Sequence, residues 1–170
     1  MPKGDREAED FHDWRADYQR QISIYIDDVD YIDPYERGEF DESDFMAVFG
    51  TDCYHIKNSD LIVVNAEDKL GVGTAQEIVI AKYFKKPVIT VLPKGTHHRR
   101  IDIVFRDQLI KDWIHPFLFA FSDLILDSID QFKLTDVDLE YIKIKDIGVI
   151  DQAVEAVELK VLKEMNSSGE

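Results

Sequence analysis

Two short runs of almost uninterrupted apolar residues constrain this 170-residue chain more than any other feature of its sequence. The runs are LIVVNA at residues 61–66 and VITVL at residues 88–92, and a glycine-containing turn and a helix-compatible stretch from Thr74 to Tyr83 lie between them. A strand that is apolar on both sides must be covered on both faces, as the strands of a parallel sheet are. The segment therefore predicts a βαβ unit with a right-handed crossover.

Weaker patterns predict the elements around this unit. Apolar residues at helical spacing predict a helix over about residues 8–21, and β-branched residues predict a strand from Ile22 to Ile26. Further predictions are a helix over 41–57, strands at 124–126 and 141–144, a short helix over 127–132, and a C-terminal helix with an apolar stripe at Ile150, Val154, Val157 and Val161. No linker divides the chain, so residues 1–170 are expected to form one α/β domain with a mostly parallel sheet.

Composition excludes several classes of function. The 20 basic and 35 acidic residues give a net charge of −15, which repels nucleic-acid backbones and anionic membranes, so neither is an expected partner. No apolar run approaches the roughly 20 residues of a membrane span, and the polar N-terminus does not resemble a signal peptide. The single cysteine, Cys53, cannot form an intrachain disulfide. We therefore expect a cytoplasmic protein.

The turn after the first apolar run is the first place to look for chemistry, because ligands of open parallel sheets bind beyond the carboxyl ends of the strands. Gly71 and Gly73 let the backbone approach a ligand closely. Thr74 and Glu77 have the spacing of a capping box, and a purely structural role as helix cap accounts for both of them. The glycines do not match a phosphate-binding loop.

Three other groups of residues are explained by structural roles that need no ligand. The basic run at residues 94–100 includes His97, His98, Arg99 and Arg100, which could bind a phosphate or a metal ion, but a solvated loop is the expected role. The aromatic stretch from Trp113 to Phe121 is expected to be core or an oligomer contact rather than a base-stacking site. The acidic residues from 27 to 44 lack calcium-loop spacing and are expected to be solvated surface. No histidine spacing suggests a metal centre, and no cofactor is expected.

Short words of the sequence resemble the nucleoside 2-deoxyribosyltransferase family. These words are NSDLIVV at 58–64, GTAQEI at 73–78 and KKPVITVLP at 85–93, with Asp52 upstream of them, and weaker similarity extends back to about residue 8. The resemblance implies a flavodoxin-like, doubly wound fold. It also implies cleavage or exchange at the N-glycosidic bond of a nucleoside or nucleoside monophosphate, and a homo-oligomer in which the Trp113 stretch is the contact to test.

The resemblance implies a role for each residue of the site. Glu77 falls at the family's nucleophilic glutamate, which forms a covalent glycosyl intermediate, and Asp52 falls at the carboxylate that transfers a proton to the leaving base. The turn residues Gly71, Gly73 and Thr74 are expected to bind the substrate. Gly71 stands where the family often has an acidic or serine side chain, so Asp68 is the residue expected to supply that contact by another loop path.

The front of the chain departs from the family. Family members open with a short apolar strand and a glycine-containing loop, whereas here Met1 leads almost directly into the first helix. We therefore expect either a missing first strand or a reorganised sheet. This departure and Gly71 motivate the alternative interpretation, a non-catalytic nucleotide-binding or sensing module with the same fold.

Overall fold

A parallel three-stranded sheet forms the centre of the molecule in the computed structural model, which describes residues 13–32, 43–132 and 143–167. The strands are β1 (Ile62–Asn65), β2 (Val88–Val91) and β5 (Leu124–Leu126), and β2 lies in the middle. Val64 pairs with Thr90, which in turn pairs with Ile125. The first two strands and the helix between them form the predicted βαβ unit, so that prediction is confirmed.

Three helices pack on one face of this sheet. They are α2 (Phe45–Asn58), α3 (Val72–Tyr83) and α4 (Pro116–Phe121), and each contributes apolar side chains to a shared core. Strand residues alternate between the faces, so that Val64 and Val88 point into this core while Val63 and Ile89 point to the other side. The alternation allows both faces of the apolar strands to be buried.

The opposite face is covered by α1 (Trp14–Ile22) and by a 3₁₀ turn, Ile129–Gln131. Tyr18 and Ile22, one helical turn apart, pack there against Ile89 and Val91. The sheet thus has helices on both faces. The three strands follow one another in the order β1, β2, β5, so the reversal of strand order that defines a doubly wound sheet does not occur among the described strands.

The strand predicted from Ile22 to Ile26 is wrong. Ile22 is the last residue of α1, and residues 23–25 form a turn. Burial decided the outcome, because Ile22 packs on the sheet one turn after Tyr18, whereas Ile24 is left 63% exposed. A tertiary contact outweighed the β-propensity of the run.

A hairpin that the sequence analysis missed lies between β2 and α4. Its antiparallel strands are β3 (Arg99–Phe105) and β4 (Gln108–Ile114), joined by Arg106 and Asp107. Both turn residues have positive φ, as a type I′ turn requires, but Arg-Asp is not the Asn-Gly pair that normally signals one. Ile114 packs against the core at the base of the hairpin, while much of its length is exposed.

The remaining predictions have mixed outcomes. The helix over 41–57 and the C-terminal helix are confirmed as α2 and α5 (Val149–Ser167), and β5 is confirmed as a strand. Of the edge strand predicted at 141–144, residues 143 and 144 are not in a strand, and 141 and 142 lie outside the described residues. The start of the helix predicted from about residue 8 and part of the acidic stretch at 27–44 also lie outside them.

A buried ion pair closes the end of the sheet at which the strands begin. The Lys82 ammonium on α3 contacts the Asp123 carboxylate just before β5, and both side chains are fully buried. The same carboxylate accepts the backbone N–H of Val88 at 2.7 Å and that of Lys145 at 2.7 Å. Lys82 also donates to the carbonyl of Lys86 at 2.9 Å. Asp123 therefore ties α3, β2, β5 and the segment that leads to α5 to one point.

We expect Asp123→Ala to destabilise the fold by about 3–5 kcal/mol, because it leaves the Lys82 charge buried without its counterion. Lys82→Met should cost less, since two backbone N–H groups still bind the Asp123 carboxylate. Urea unfolding measures both changes. Arg20→Ala, which breaks an exposed pair with Asp17, is the control and should cost about 1 kcal/mol or less. A cost for Asp123→Ala no larger than that of the control would contradict the assignment.

Candidate functional site

The carboxyl ends of the three parallel strands lie at one edge of the sheet. β1 leads there into the turn from Ala66 to Gly71, β2 leads into the loop at 92–98, and β5 leads into Asp127 and Ser128. The helices α2 and α3 run antiparallel to the strands, because each is joined to a neighbouring strand by a short connection. Their N-terminal halves therefore lie at this same edge, where ligands of parallel sheets bind.

Asp52 lies on α2 where that helix emerges from the core. Phe45, Phe49, Asp52 and Ile56 follow one stripe of the helix, and the exposed fraction falls from 80% at Phe45 to 49% at Phe49 and 8% at Ile56. Asp52 stands between the exposed and the buried members and is half-buried, with its Oδ1 atom out of contact with solvent. Its neighbour Cys53 is also half-buried and is a free thiol, as expected.

Glu77 lies on α3, and it is also half-buried. It stands one turn before Ala81, which belongs to the same core as Ile56 of α2, and the two helices pack against each other. The structure thus brings Asp52 and Glu77 to two neighbouring helices, each carboxylate one turn away from a shared core.

The predicted capping box of Thr74 and Glu77 is wrong. α3 begins at Val72, two residues earlier than expected, and its N-cap residue is Gly71, which has no side chain to cap the helix. Thr74 is therefore the third residue of the helix and Glu77 the sixth, so Glu77 lies in the second turn. The influence of the helix dipole falls off within the first turn, so it contributes little to the ionisation of Glu77.

The turn residues expected to bind substrate surround the start of α3. Asp68 is exposed, and Thr74 is half-buried in the first turn of the helix. A Cβ atom added to Gly71 or to Gly73 would meet no other atom within 4 Å. The protein's own packing therefore does not require glycine at either position, and the space next to both is open to a ligand.

His98 holds this turn from the side of the hairpin, and the sequence analysis did not identify it. Its Nε2 atom accepts the backbone N–H of Leu70 at 3.1 Å, and His97 and His115 lie edge-on to its ring. Its Nδ1 atom is buried and makes no hydrogen bond to any residue in the part of the chain that the structure describes. Burial lowers the pKa of His98, and the neighbouring histidines lower it further.

Arg99 is the second residue that the sequence analysis missed, since its run was expected to be solvated. The guanidinium is buried and binds both oxygens of Asp112, at 2.9 and 2.8 Å. It also donates to Asp127 at 2.5 Å and to the carbonyl of Leu92 at 3.0 Å. The hydrogen bonds to Asp112 raise the pKa of Arg99 and hold that of Asp112 below its usual range. Arg99 fastens the hairpin to the ends of β2 and β5.

A buried tyrosine lies on the other face of the same edge. The Tyr18 hydroxyl is inaccessible to solvent and lies close to the Glu67 carboxylate. Burial and the Glu67 carboxylate both raise the pKa of this phenol. Tyr18 is thus neutral at physiological pH. It lies near the carboxyl end of β1, on the face of the sheet opposite to α3.

Further observations concern metal binding, membrane-spanning helices and similarity to known proteins. Among residues 13–32, 43–132 and 143–167, no group of three or more histidine, cysteine or acidic side chains is arranged to hold a metal ion. In the same residues no helix combines the length and the apolar character needed to cross a membrane. Comparison with protein-family profiles, with curated proteins and with solved structures found no match.

The lowered pKa of His98 predicts that stability falls on acidification. Above the ordinary histidine pKa of about 6.5 the ring is neutral in both states, and below it the unfolded chain takes up the proton more readily than the folded one. Protonation also removes the Nε2 lone pair that binds Leu70. Unfolding free energies measured in urea between about pH 7.5 and pH 5 should decrease toward acid.

His98→Gln tests the assignment, because its amide can accept a hydrogen bond and does not titrate. This variant should lose part of the pH dependence, whereas His55→Gln, which removes a histidine from α2, should retain all of it. Equal pH dependence in the wild type and in His98→Gln would show that His98 is not the titrating group.

Proposed function

We propose that this protein cleaves or exchanges the N-glycosidic bond of a nucleoside or nucleoside monophosphate at the carboxyl edge of its sheet. The observation that carries the proposal is the pair of half-buried carboxylates, Asp52 and Glu77, on two packed helices that both emerge from the core at this edge. Retaining glycosyl transfer uses two carboxyl groups. The word that contains Glu77 and the words downstream of Asp52 resemble the nucleoside 2-deoxyribosyltransferase family.

Glu77 is the proposed nucleophile. Its carboxylate oxygen attacks C1′ of the sugar, the bond from C1′ to the base nitrogen breaks, and the bonding electrons leave with the base. The product is a glycosyl ester of Glu77. Water or a second base then attacks C1′ and releases the carboxylate, which gives hydrolysis in the first case and base exchange in the second.

Asp52 is the proposed proton donor. In its acid form it gives its proton to the departing base, and as a carboxylate it takes a proton from the incoming water or base in the second step. The two carboxylates would thus work in opposite protonation states at the start of the reaction.

Space and apolar surface for a nucleoside are present around this pair. The open positions at Gly71 and Gly73 allow a ligand to approach the backbone before α3. Asp68 and Thr74 supply polar side chains at the same turn for the sugar hydroxyls. The exposed rings of Phe45 and Phe49, on the stripe that carries Asp52, offer flat faces on which a base can stack.

The proposal extends to the full topology of the sheet and to the cellular location. A doubly wound, flavodoxin-like sheet needs a further strand on the free side of β1, which has no neighbour there among the described strands. The proposal also includes a cytoplasmic location, since a chain with one cysteine has no intrachain disulfide to maintain.

One observation favours the alternative, a nucleotide-binding module without catalysis. Glu77 lies in the second turn of α3, so the helix dipole contributes little to keeping it ionised as a nucleophile. Such a module would bind a nucleoside or nucleotide at the same edge without breaking the glycosidic bond. Calorimetric binding without turnover would identify it.

We expect the wild-type protein, incubated with deoxynucleosides or their monophosphates and a free acceptor base, to release or exchange the base. Glu77→Gln should abolish both reactions, because the nucleophile is lost while the shape of the side chain is kept. Asp52→Asn should slow them by about 10²–10⁴-fold, the usual contribution of a general acid. Chromatography of the free and exchanged bases measures all of these rates.

Asp60→Asn is the matched control. It removes one exposed carboxylate from the α2–β1 connection at the opposite edge of the sheet, so it should leave the rate unchanged. Unfolding curves of every variant exclude loss of the fold as the cause. If the wild type releases no base from any of these substrates, or if Glu77→Gln reacts at the wild-type rate, the catalytic proposal is wrong.

A further inference from the structure

Almost the whole surface of the C-terminal helix α5 is exposed to solvent. Ile147 and Val149 pack against the core just before and at its start, and every residue from Ile150 to Lys163 is exposed. Six of these residues are large, apolar and 44% to 61% exposed, and four of them, Ile150, Val154, Val157 and Val161, share one face of the helix. Most of the stability of helices in proteins comes from packing an apolar face against a partner.

The four residues form one narrow seam. Their spacing of four, three and four residues is that of the a and d positions of a coiled coil, in which every seam residue faces a partner helix. The other two are Leu159 and Leu162, 53% and 55% exposed. At 3.6 residues per turn Leu159 lies on the far side of the helix and Leu162 lies about 110° around it from the seam. The seam is therefore distinct from a scatter of exposed apolar residues.

The charges on either side of the seam identify its occupant and its direction. Asp151 and Glu158 lie on one flank, and Lys160 lies on the other. When two copies of this helix pair in parallel, the acidic flank of each faces the basic flank of its partner, as at the e and g positions of coiled coils. Antiparallel pairing would bring the two acidic flanks together, which is unfavourable.

We propose that α5 is a self-association surface, on which a second copy of this chain docks its own α5 in parallel. The contact stands apart from the proposed catalytic edge, so either proposal can fail without the other. It also differs from the Trp113 stretch that the sequence analysis expected to form the oligomer contact. A β-branched residue at every seam position also allows a third parallel copy to join.

Light scattering of the full-length protein tests this surface. The wild type should have the mass of two or three copies, Val157→Glu should have the mass of one, and Leu159→Glu should associate as the wild type does. The last two variants add the same charge to exposed apolar positions of the same helix. Circular dichroism shows whether each variant keeps its fold. A monomeric wild type, or equal masses for these two variants, would overturn the proposal.

The flank charges give a second test with its own control. Lys160→Glu places acid against acid and should weaken association about tenfold, because the change occurs in every copy. Lys163→Glu makes the same change in net charge on the far side of the helix and should leave association unchanged. The double variant Glu158→Lys, Lys160→Glu exchanges the flanks and should restore it. If the single variants at 160 and 163 are equivalent, the parallel arrangement is wrong.

Discussion

The contact between Lys82 and Asp123 is the constraint on which the other elements depend. Asp123 accepts three N–H donors from three parts of the chain, and the ammonium of Lys82 neutralises it inside the core. A buried charge pair of this kind costs desolvation free energy, which its hydrogen bonds must offset. The contact determines the position of α3 on the sheet, because Lys82 must lie within reach of Asp123. The register of α3 in turn fixes where Glu77 and the Gly71 turn stand.

The two ends of the sheet consequently do different work. At the end where the strands begin, the buried polar atoms of the Lys82–Asp123 contact and of the Thr90–Ser122 hydroxyl pair satisfy each other. At the end where the strands stop, the loops are held by the hairpin instead, through Arg99 to β2 and β5 and through His98 to the turn after β1. The hairpin is thus a support for the candidate site.

The sequence was sufficient to predict the βαβ unit because its pattern is local: two apolar runs, a helix of fitting length and a turn between them. The hairpin could not be predicted in this way. Its turn uses Arg106 and Asp107 at positive φ, and its strands are exposed over much of their length, so neither turn chemistry nor alternation signals it. The strand expected from Ile22 failed for a related reason, since the packing of Ile22 on Ile89 and Val91 is a contact between distant parts of the chain.

The residues of the candidate site also differ in how far the sequence alone predicts them. Glu77 stands within a short word that resembles a known family, and Asp52 stands upstream of such words, so the sequence alone makes both of them candidates. His98 and Arg99 stand in a run whose basic composition predicts solvated surface. Their burial depends on Leu70, Asp112 and Asp127, which lie 13 to 28 residues away along the chain. Composition identifies charge but not its partner. A basic run in an acidic protein can therefore be either a solvated loop or a set of residues that make tertiary hydrogen bonds and ion pairs. Only the fold distinguishes the two.

The pairing of Arg99 bears on which substrate the proposed site prefers. Two carboxylates and a carbonyl occupy four of its five N–H groups, so it has no donor pair left to offer a phosphate. The lysines of the turn after β1 and of the loop after β2, Lys69 and Lys94, are both exposed and screened by solvent. Asp127 is paired with Arg99, but Glu67 and Asp68 are acidic residues of the same turn, and Asp52 and Glu77 add two more carboxylates. A phosphate dianion would meet net repulsion there, so the charges favour a neutral nucleoside over its monophosphate.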